Sequence, residues 1–212
     1  MPPSVASSFS GENLLCIRGE RVVFQGLDFA VAAGGALILA GPNGSGKSSL
    51  LRVMAGLLQP ASGSLHRDGR PISDDPEAHR ANLHYVGHLD AVKPVLTVAE
   101  NLEFWARLNG SDASVDAALD RFGLAALAAT AARLLSAGQR RRLNLARVAA
   151  SPAALWLLDE PAVALDAASV AILVDLIAAH RAQGGIAILS THTDLGIADA
   201  AALALDDFAV AA

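Results

Sequence analysis

One cysteine, Cys16, stands among the 212 residues, which excludes an intrachain disulfide and any zinc site built from cysteines alone. Its plain reading is a small buried hydrophobe in a chain kept in a reducing compartment. No Cys-x-x-Cys-His attachment motif for haem exists either. A membrane-spanning run is also missing. The longest uncharged stretch, Phe29 to Gly46, contains Gly34, Gly35, Gly41, Pro42, Asn43, Gly44 and Gly46, so it holds no continuous apolar helix long enough to cross a bilayer. Met1 to Gly11 is small and polar, without the basic then apolar order of a signal peptide. Positive charge is not in excess: 16 Lys and Arg against 21 Asp and Glu leave a net charge of −5. That removes any general pull towards nucleic acid or anionic lipid. These absences predict a soluble chain that stays in the cytoplasm.

What is present describes a folded α/β domain. Hydrophobic residues make up 53% and charged ones 17%, a balance that supports a core and excludes disorder. Much of the apolar count is alanine, which suits helix surfaces as well as interiors. Strands are predicted at Leu14 to Ile17, Val22 to Phe29, Ala36 to Ala40, Leu83 to Val86, Leu155 to Leu158 and Ile186 to Leu189. Helices are predicted from Lys47 to Leu58, Val98 to Leu108, Ser114 to Phe122, Ala137 to Ala149 and Ala168 to Gln183. Their alternation indicates a largely parallel sheet, preceded by an antiparallel β meander before Ala36. Thr97 with Glu100, and Ser136 with Gln139, have the spacing of capping boxes at helix starts. The helical stretch over about 98–150 reads as an inserted subdomain of one domain spanning 1–212. The arm from Pro60 to Pro76 reads as extended loops and turns.

Three segments carry chemistry. Gly41-Pro42-Asn43-Gly44-Ser45-Gly46-Lys47-Ser48, continued by Ser49, follows a strand, opens a helix and matches the P-loop pattern. The glycines let backbone N–H groups face phosphates, Lys47 brings a point charge to the outer phosphates, and Ser48 can ligate Mg²⁺. The apolar run Ala154 to Leu158 ends in Asp159-Glu160. There Asp159 can address Mg²⁺ through water while Glu160 orients or deprotonates an attacking water. The last predicted strand runs into Ser190-Thr191-His192, placing His192 at the edge where ligands of open α/β sheets gather. Each alone has a bland reading: a structural turn, a solvated acidic turn, a structural histidine. Together they argue for nucleotide hydrolysis, with Lys47, Glu160 and His192 as the catalytic set.

With Leu135-Ser136-Ala137-Gly138-Gln139 added, the chain resembles the nucleotide-binding domains of ABC transporters, a P-loop NTPase class whose signature loop is usually written Leu-Ser-Gly-Gly-Gln. The resemblance spans essentially the whole chain. It implies ATP and Mg²⁺ as cofactors and a dimer in which Ser136, Gly138 and Gln139 of one subunit meet the γ-phosphate held by the other. It also makes Ala164-Leu165-Asp166 an interface loop. Within that family, Asn13 to Arg21, Asn82 to His88, Leu134 to Arg142 and Gln183 to Ile186 are similar to the CcmA group, the ATP-binding subunits of haem export and cytochrome c maturation. That likeness implies a CcmB-type membrane subunit, with CcmC, CcmD and the haem chaperone CcmE. It also implies a peripheral place on the cytoplasmic side of the bacterial inner membrane, with no nucleic acid bound. Alternatives are an ABC ATPase for another cargo or a non-transport ABC ATPase; the latter usually adds a coiled coil or a second ATPase domain.

Two positions depart from the general family pattern. His88 stands where most relatives have a glutamine; an imidazole nitrogen can reach Mg²⁺ directly or through water, or the residue is a loop histidine without contact. Arg18 stands where an aromatic residue commonly stacks on adenine, and a guanidinium plane can stack too. Arg140-Arg141-Arg142 reads as a solvated helix face. Trp105 and Trp156 read as core packing rather than haem stacking.

Overall fold

The computed structural model describes residues 8–110 and 115–209. Residues 1–7 of the polar N-terminal stretch, and Ser114 at the start of a predicted helix, lie outside them. The chain opens as an antiparallel pair, β1 (Ser8–Arg18) and β2 (Arg21–Ala32), in which buried and exposed positions largely alternate, as expected for a sheet with one wet face. β3 (Ala36–Ala40) leads into α1 (Lys47–Met54). The arm follows as β4 (Ser62–Arg67), β5 (Arg70–Pro71) and α2 (Pro76–Ala81). Then come β6 (Leu83–Val86), α3 (Val98–Leu108), α4 (Val115–Arg121), α5 (Ala137–Ala149) and β7 (Leu155–Asp159). The domain finishes with α6 (Ala167–Ala182), β8 (Ile186–Ser190) and β9 (Ala201–Ala204).

Two sheets result. One is antiparallel in the order β2-β1-β4-β5; the other is parallel in the order β6-β7-β8-β3-β9. All five residues of β7 and of β8 are buried, as central strands covered on both faces must be. On one face, Leu37, Leu39, Leu155, Leu157, Ile186 and Ile188 pack with α1 and the antiparallel sheet around Phe9, Phe24 and Leu27. On the other, Trp156, Leu158 and Leu189 pack with α3 to α6 around Leu102, Leu119 and Phe122. Cys16 is buried in the first of these clusters, where burial pushes its thiol pKa up. Among the described residues, no helix is long and apolar enough to cross a membrane.

Four predicted details change. The arm is not all loop: β4 pairs with β1 over Phe9↔Arg67 to Leu15↔Ser62. Its sequence, Ser-Gly-Ser-Leu-His-Arg, offers one apolar side chain, Leu65, so pairing with a neighbour makes the strand and no hydrophobic pattern announces it. α2 starts on Asp75, whose carboxylate accepts the Ala78 N–H at 2.9 Å, with a proline at the first helical position. β9 lies beside β3 beyond the last predicted strand. α1 stops at Met54, four residues early, because Gly56 takes the left-handed conformation (φ 66°) after it. Both capping boxes form. Thr97 N–H donates to Glu100 Oε2 at 2.7 Å while Glu100 N–H donates to Thr97 Oγ1 at 3.2 Å. The Ser136 and Gln139 pair repeats the pattern at 2.8 and 3.2 Å.

Two histidines are held neutral beneath the helical face. The ring Nε2 of His84 lies 2.8 Å from the Ser151 carbonyl oxygen, and burial pulls its pKa down to about 4. His180 stacks flat on Trp156 with ring centroids 3.9 Å apart, and burial pulls it to about 4 as well. An unfolded histidine binds its proton near pH 6.5, so between pH 6.5 and 4 the unfolded chain takes up protons that the folded chain refuses. Stability from these groups is therefore complete above pH 6.5 and lost as pH falls towards 4. Denaturant unfolding at pH 7 and pH 5 should show a loss on acidification that is smaller in His84→Gln, by on the order of 1–2 kcal/mol. Equal losses in the two proteins would contradict this account of His84.

Candidate functional site

The loop between β3 and α1 gathers the first set of groups. Gly46 precedes α1 at φ 106°, and a Cβ built there would lie 2.5 Å from Val23 Cγ1; only glycine fits. Lys47, buried at the start of α1, donates from Nζ to the Gly41 carbonyl at 2.6 Å and the Pro42 carbonyl at 2.9 Å. An ammonium has three donors, so the loop orients the charge and leaves capacity for an anion.

The second set comes from the ends of β7 and β8, which are level: Asp159 pairs with Ser190, and Ser190 is also level with Leu39 of β3. The fully buried Ser190 hydroxyl donates to Asp159 Oδ1 at 2.6 Å and accepts the Glu160 N–H at 3.0 Å. Glu160 turns the chain with φ 48°, a left-handed conformation that costs about 1–3 kcal/mol in a residue with a side chain. Its Oε1 is buried and makes no hydrogen bond, and His192 Nε2 lies 3.4 Å from it. His192 Nε2 also lies 2.8 Å from Asn43 Oδ1 of the P-loop. The Glu160 side chain lines the cleft, and a carboxylate there suits acceptance of a hydrogen bond from a water molecule.

These groups line one cleft of about 560 Å³, formed by Arg18, Arg21, Val23, Asn43, Gly44, Gly46, Lys47, Ser48, Ser49, His88, Asp159, Glu160, Val163, His192 and Thr193. Every predicted catalytic and metal-ligating residue is therefore in it, and so are His88 and Arg18. Gly41, Pro42 and Ser45 stand behind it; the first two hold Lys47, and the Ser45 N–H donates to the Pro42 carbonyl at 3.2 Å. Ser136, Gly138, Gln139 and Asp166 do not line it. Ser136 and Gln139 cap α5, and Asp166 caps α6 by accepting the Ser169 N–H at 2.8 Å. The Ser169 hydroxyl first, and its N–H second, draw the Asp166 carboxyl below its usual range. Gly138 sits where a Cβ would be 3.0 Å from the Ala164 carbonyl, so the signature loop and the Ala164 turn touch.

The basic run was expected to be a solvated face, and the structure corrects this. Arg141 is 4% exposed and gives its donors to carbonyls at the end of β7 and to Asp90. Arg142 donates to the Phe122 carbonyl at 3.0 Å. An α5 that packs on β7 must turn this side inwards, and three consecutive charges hide that. Sequence reasoning also passed over Ser190 and Arg21. Both are ordinary residue types whose place shows only once β8 is level with β7 and β2 folds over the loop. Trp156 is buried as expected, while Trp105 is half-buried under the Arg147 guanidinium, 4.4 Å from its ring centroid.

A parallel sheet with a P-loop at the end of one strand, a histidine just past the end of the strand beside it and an acidic pair at the end of the strand after that defines a P-loop nucleotide hydrolase. The signature loop standing apart from that cleft narrows the class to ABC-type ATPases. Residues 24–163 match the ABC transporter family. The chain is 61% identical over 210 residues to the "Cytochrome c biogenesis ATP-binding export protein CcmA" of Paramagnetospirillum magneticum, covering 97% of each chain. It is 59% identical over 208 residues to the protein of that name from Rhodospirillum rubrum, covering 98% of this chain and 89% of that one. Among solved structures, it superposes on a bacterial Atm1-family ABC exporter with ATP bound at a TM-score of 0.83 and 27% identity, over 98% of this chain and 38% of that one. A putative ABC transporter ATP-binding protein from Pyrococcus furiosus shares the fold at a TM-score of 0.82 and 23% identity, over 96% of this chain and all of that one. The chain belongs to the ABC transporter family and, within it, to the CcmA group of ATP-binding proteins.

Ser190→Ala removes the donor to Asp159 and leaves a buried carboxylate oxygen short of a partner. The substitution should lower the unfolding free energy by about 1–3 kcal/mol. Denaturant unfolding measures it, and a change below about 0.5 kcal/mol would remove Ser190 from the account.

Proposed function

We propose that the cleft binds ATP with Mg²⁺ and hydrolyses it, and that a second copy of the chain completes the site with its signature loop. The observation that carries this reading is a separation. The P-loop, Asp159, Glu160 and His192 share one cleft, whereas the capped N-terminus of α5, an anion site by its free N–H groups, lies outside it.

In this reading the P-loop backbone and Lys47 hold the outer phosphates. Ser48 and Asp159 hold Mg²⁺, with His88 as a further ligand directly or through water. The donor set fits, because magnesium keeps most of its waters and takes one or two protein oxygens beside phosphate. Bound there, the metal neutralises charge developing on the transferred phosphoryl group. The Glu160 carboxylate accepts a hydrogen bond from the attacking water and takes its proton as the new P–O bond forms and the bond to the leaving ADP oxygen breaks. His192, close to both Glu160 and Asn43, donates towards the γ-phosphate. Arg18, exposed at the rim of the cleft, stacks on adenine. Ser136, Gly138 and Gln139, with Asp166 beside them, act on the nucleotide of the second copy.

Closure of two such subunits drives movement in membrane partners. By its likeness to CcmA, this chain works with a CcmB-type subunit, together with CcmC, CcmD and the haem chaperone CcmE. It does so on the cytoplasmic side of the inner membrane, in haem export or in release of loaded chaperone. The chain touches the membrane through those partners alone.

Glu160→Gln keeps the shape of the site and removes the base. ATP affinity should stay within about three-fold while turnover falls on the order of 100-fold or more; Lys47→Ala should weaken ATP binding itself. Affinity purification of the Glu160→Gln protein from its native membrane, followed by mass spectrometry, tests the transport role. Recovery of a CcmB-type subunit with the haem chaperone supports it, and recovery of an unrelated permease overturns the haem assignment while leaving the ATPase reading in place.

A further inference from the structure

One buried side chain behind the cleft collects acceptors from two separate loops. Arg141 Nη2 donates to the carbonyl oxygens of Asp159 at 2.9 Å and Glu160 at 2.7 Å, and Nε donates to that of Pro161 at 3.4 Å. Nη1 donates to the Gly87 carbonyl at 3.2 Å and to Asp90 Oδ1 at 3.1 Å. Asp90 Oδ1 also accepts from Asn144 Nδ2 at 3.0 Å, one turn further along α5. The first three acceptors are consecutive residues at the end of β7, where Glu160 adopts its left-handed turn. The other two flank His88 in the chain. Arg141 itself stands about a turn and a half beyond Ser136 on the helix that the signature loop opens.

A guanidinium is planar, carries five N–H donors and cannot accept. Here its fork spans three carbonyls to which, among the described residues, no other side chain donates, and its far side grips the next loop. The direction in which the Glu160 carboxylate leaves the backbone follows from how those carbonyls are held. An ammonium has three donors on one atom and cannot bridge both loops in the same way.

We propose that Arg141 is a positioning residue for hydrolysis: it holds Glu160 in register with the His88 loop and ties both to the helix that begins at the signature loop. The inference rests on the reading of Glu160 as the hydrolytic carboxylate. Arg141 does not line the cleft, so it acts through Glu160 and leaves the phosphate-holding groups untouched.

The test is single-turnover ATP hydrolysis by the full chain, with ATP affinity measured alongside, in wild type, Arg141→Gln, Arg141→Lys, Glu160→Gln and the Arg141→Gln/Glu160→Gln pair. Arg141→Gln should slow hydrolysis roughly ten- to a hundred-fold while ATP affinity changes by less than about two-fold, and Arg141→Lys should recover part of the rate. In the Glu160→Gln background the Arg141→Gln change should cost less than about two-fold, because the carboxylate whose position it sets is gone. Equal fold-losses in both backgrounds, or wild-type hydrolysis by Arg141→Gln, would overturn the proposal. Should Arg141→Gln not fold, Arg141→Lys carries the same pair of comparisons. A Glu160→Gln protein as fast as wild type removes the underlying reading, and the proposal with it.

Discussion

The level ending of buried parallel strands is the constraint from which the site follows. β3, β7 and β8 lie side by side with Leu39 and Asp159 both opposite Ser190, so the chain leaves the sheet at one edge at three neighbouring points. A shift of β7 by one residue would turn Asp159 to the other face and withdraw Glu160 from His192. What prevents the shift is apolar: Leu155, Leu157, Ile186 and Ile188 face one core cluster while Trp156, Leu158, Ala187 and Leu189 face the other. At roughly 1.5–3 kcal/mol for each fully buried large side chain, a slipped register loses far more than the strand ends gain. Packing far from the cleft thus sets geometry inside it.

The strand edge also creates a difficulty, and polar contacts meet it. Chain that turns out of a buried sheet carries carbonyls and N–H groups into a dry place, where each needs a partner. Ser190 answers for Asp159 and for the Glu160 N–H, and Arg141 answers for the carbonyls of Asp159, Glu160 and Pro161. Together they hold Glu160 in a backbone conformation that it would otherwise leave. One carboxylate oxygen of Glu160 is meanwhile left without a hydrogen bond. A rigid frame around a carboxylate that lines the cleft is a sound arrangement for taking a proton from a bound water.

Much of this was legible from residues alone, for identifiable reasons. The P-loop, the Asp159-Glu160 tip and His192 are local signals attached to strands with strong apolar runs, and the capping boxes at Thr97 and Ser136 are complete within four residues. Long-range features were hidden. β4 has one apolar side chain and exists through pairing with β1; β9 is short and alanine-rich; Ser190 looked like the polar end of a strand. Arg141 was misjudged because charge in a run is usually solvated, and only the docking of α5 against β7 reveals which of the three faces inwards.

The proposed division of labour between two copies makes the sharpest claim. Each chain offers a cleft with its own Lys47 and a signature loop with its own Ser136, and under the proposal the two belong to different nucleotide sites. The direct measurement is ATP turnover in a mixture of Lys47→Ala and Ser136→Ala chains, each inactive alone. A mixed dimer pairs the intact cleft of one chain with the intact loop of the other, so mixing should restore turnover to a substantial fraction of one wild-type site. Turnover that stays at the level of the separate variants, in a mixture shown to form mixed dimers, would contradict the account.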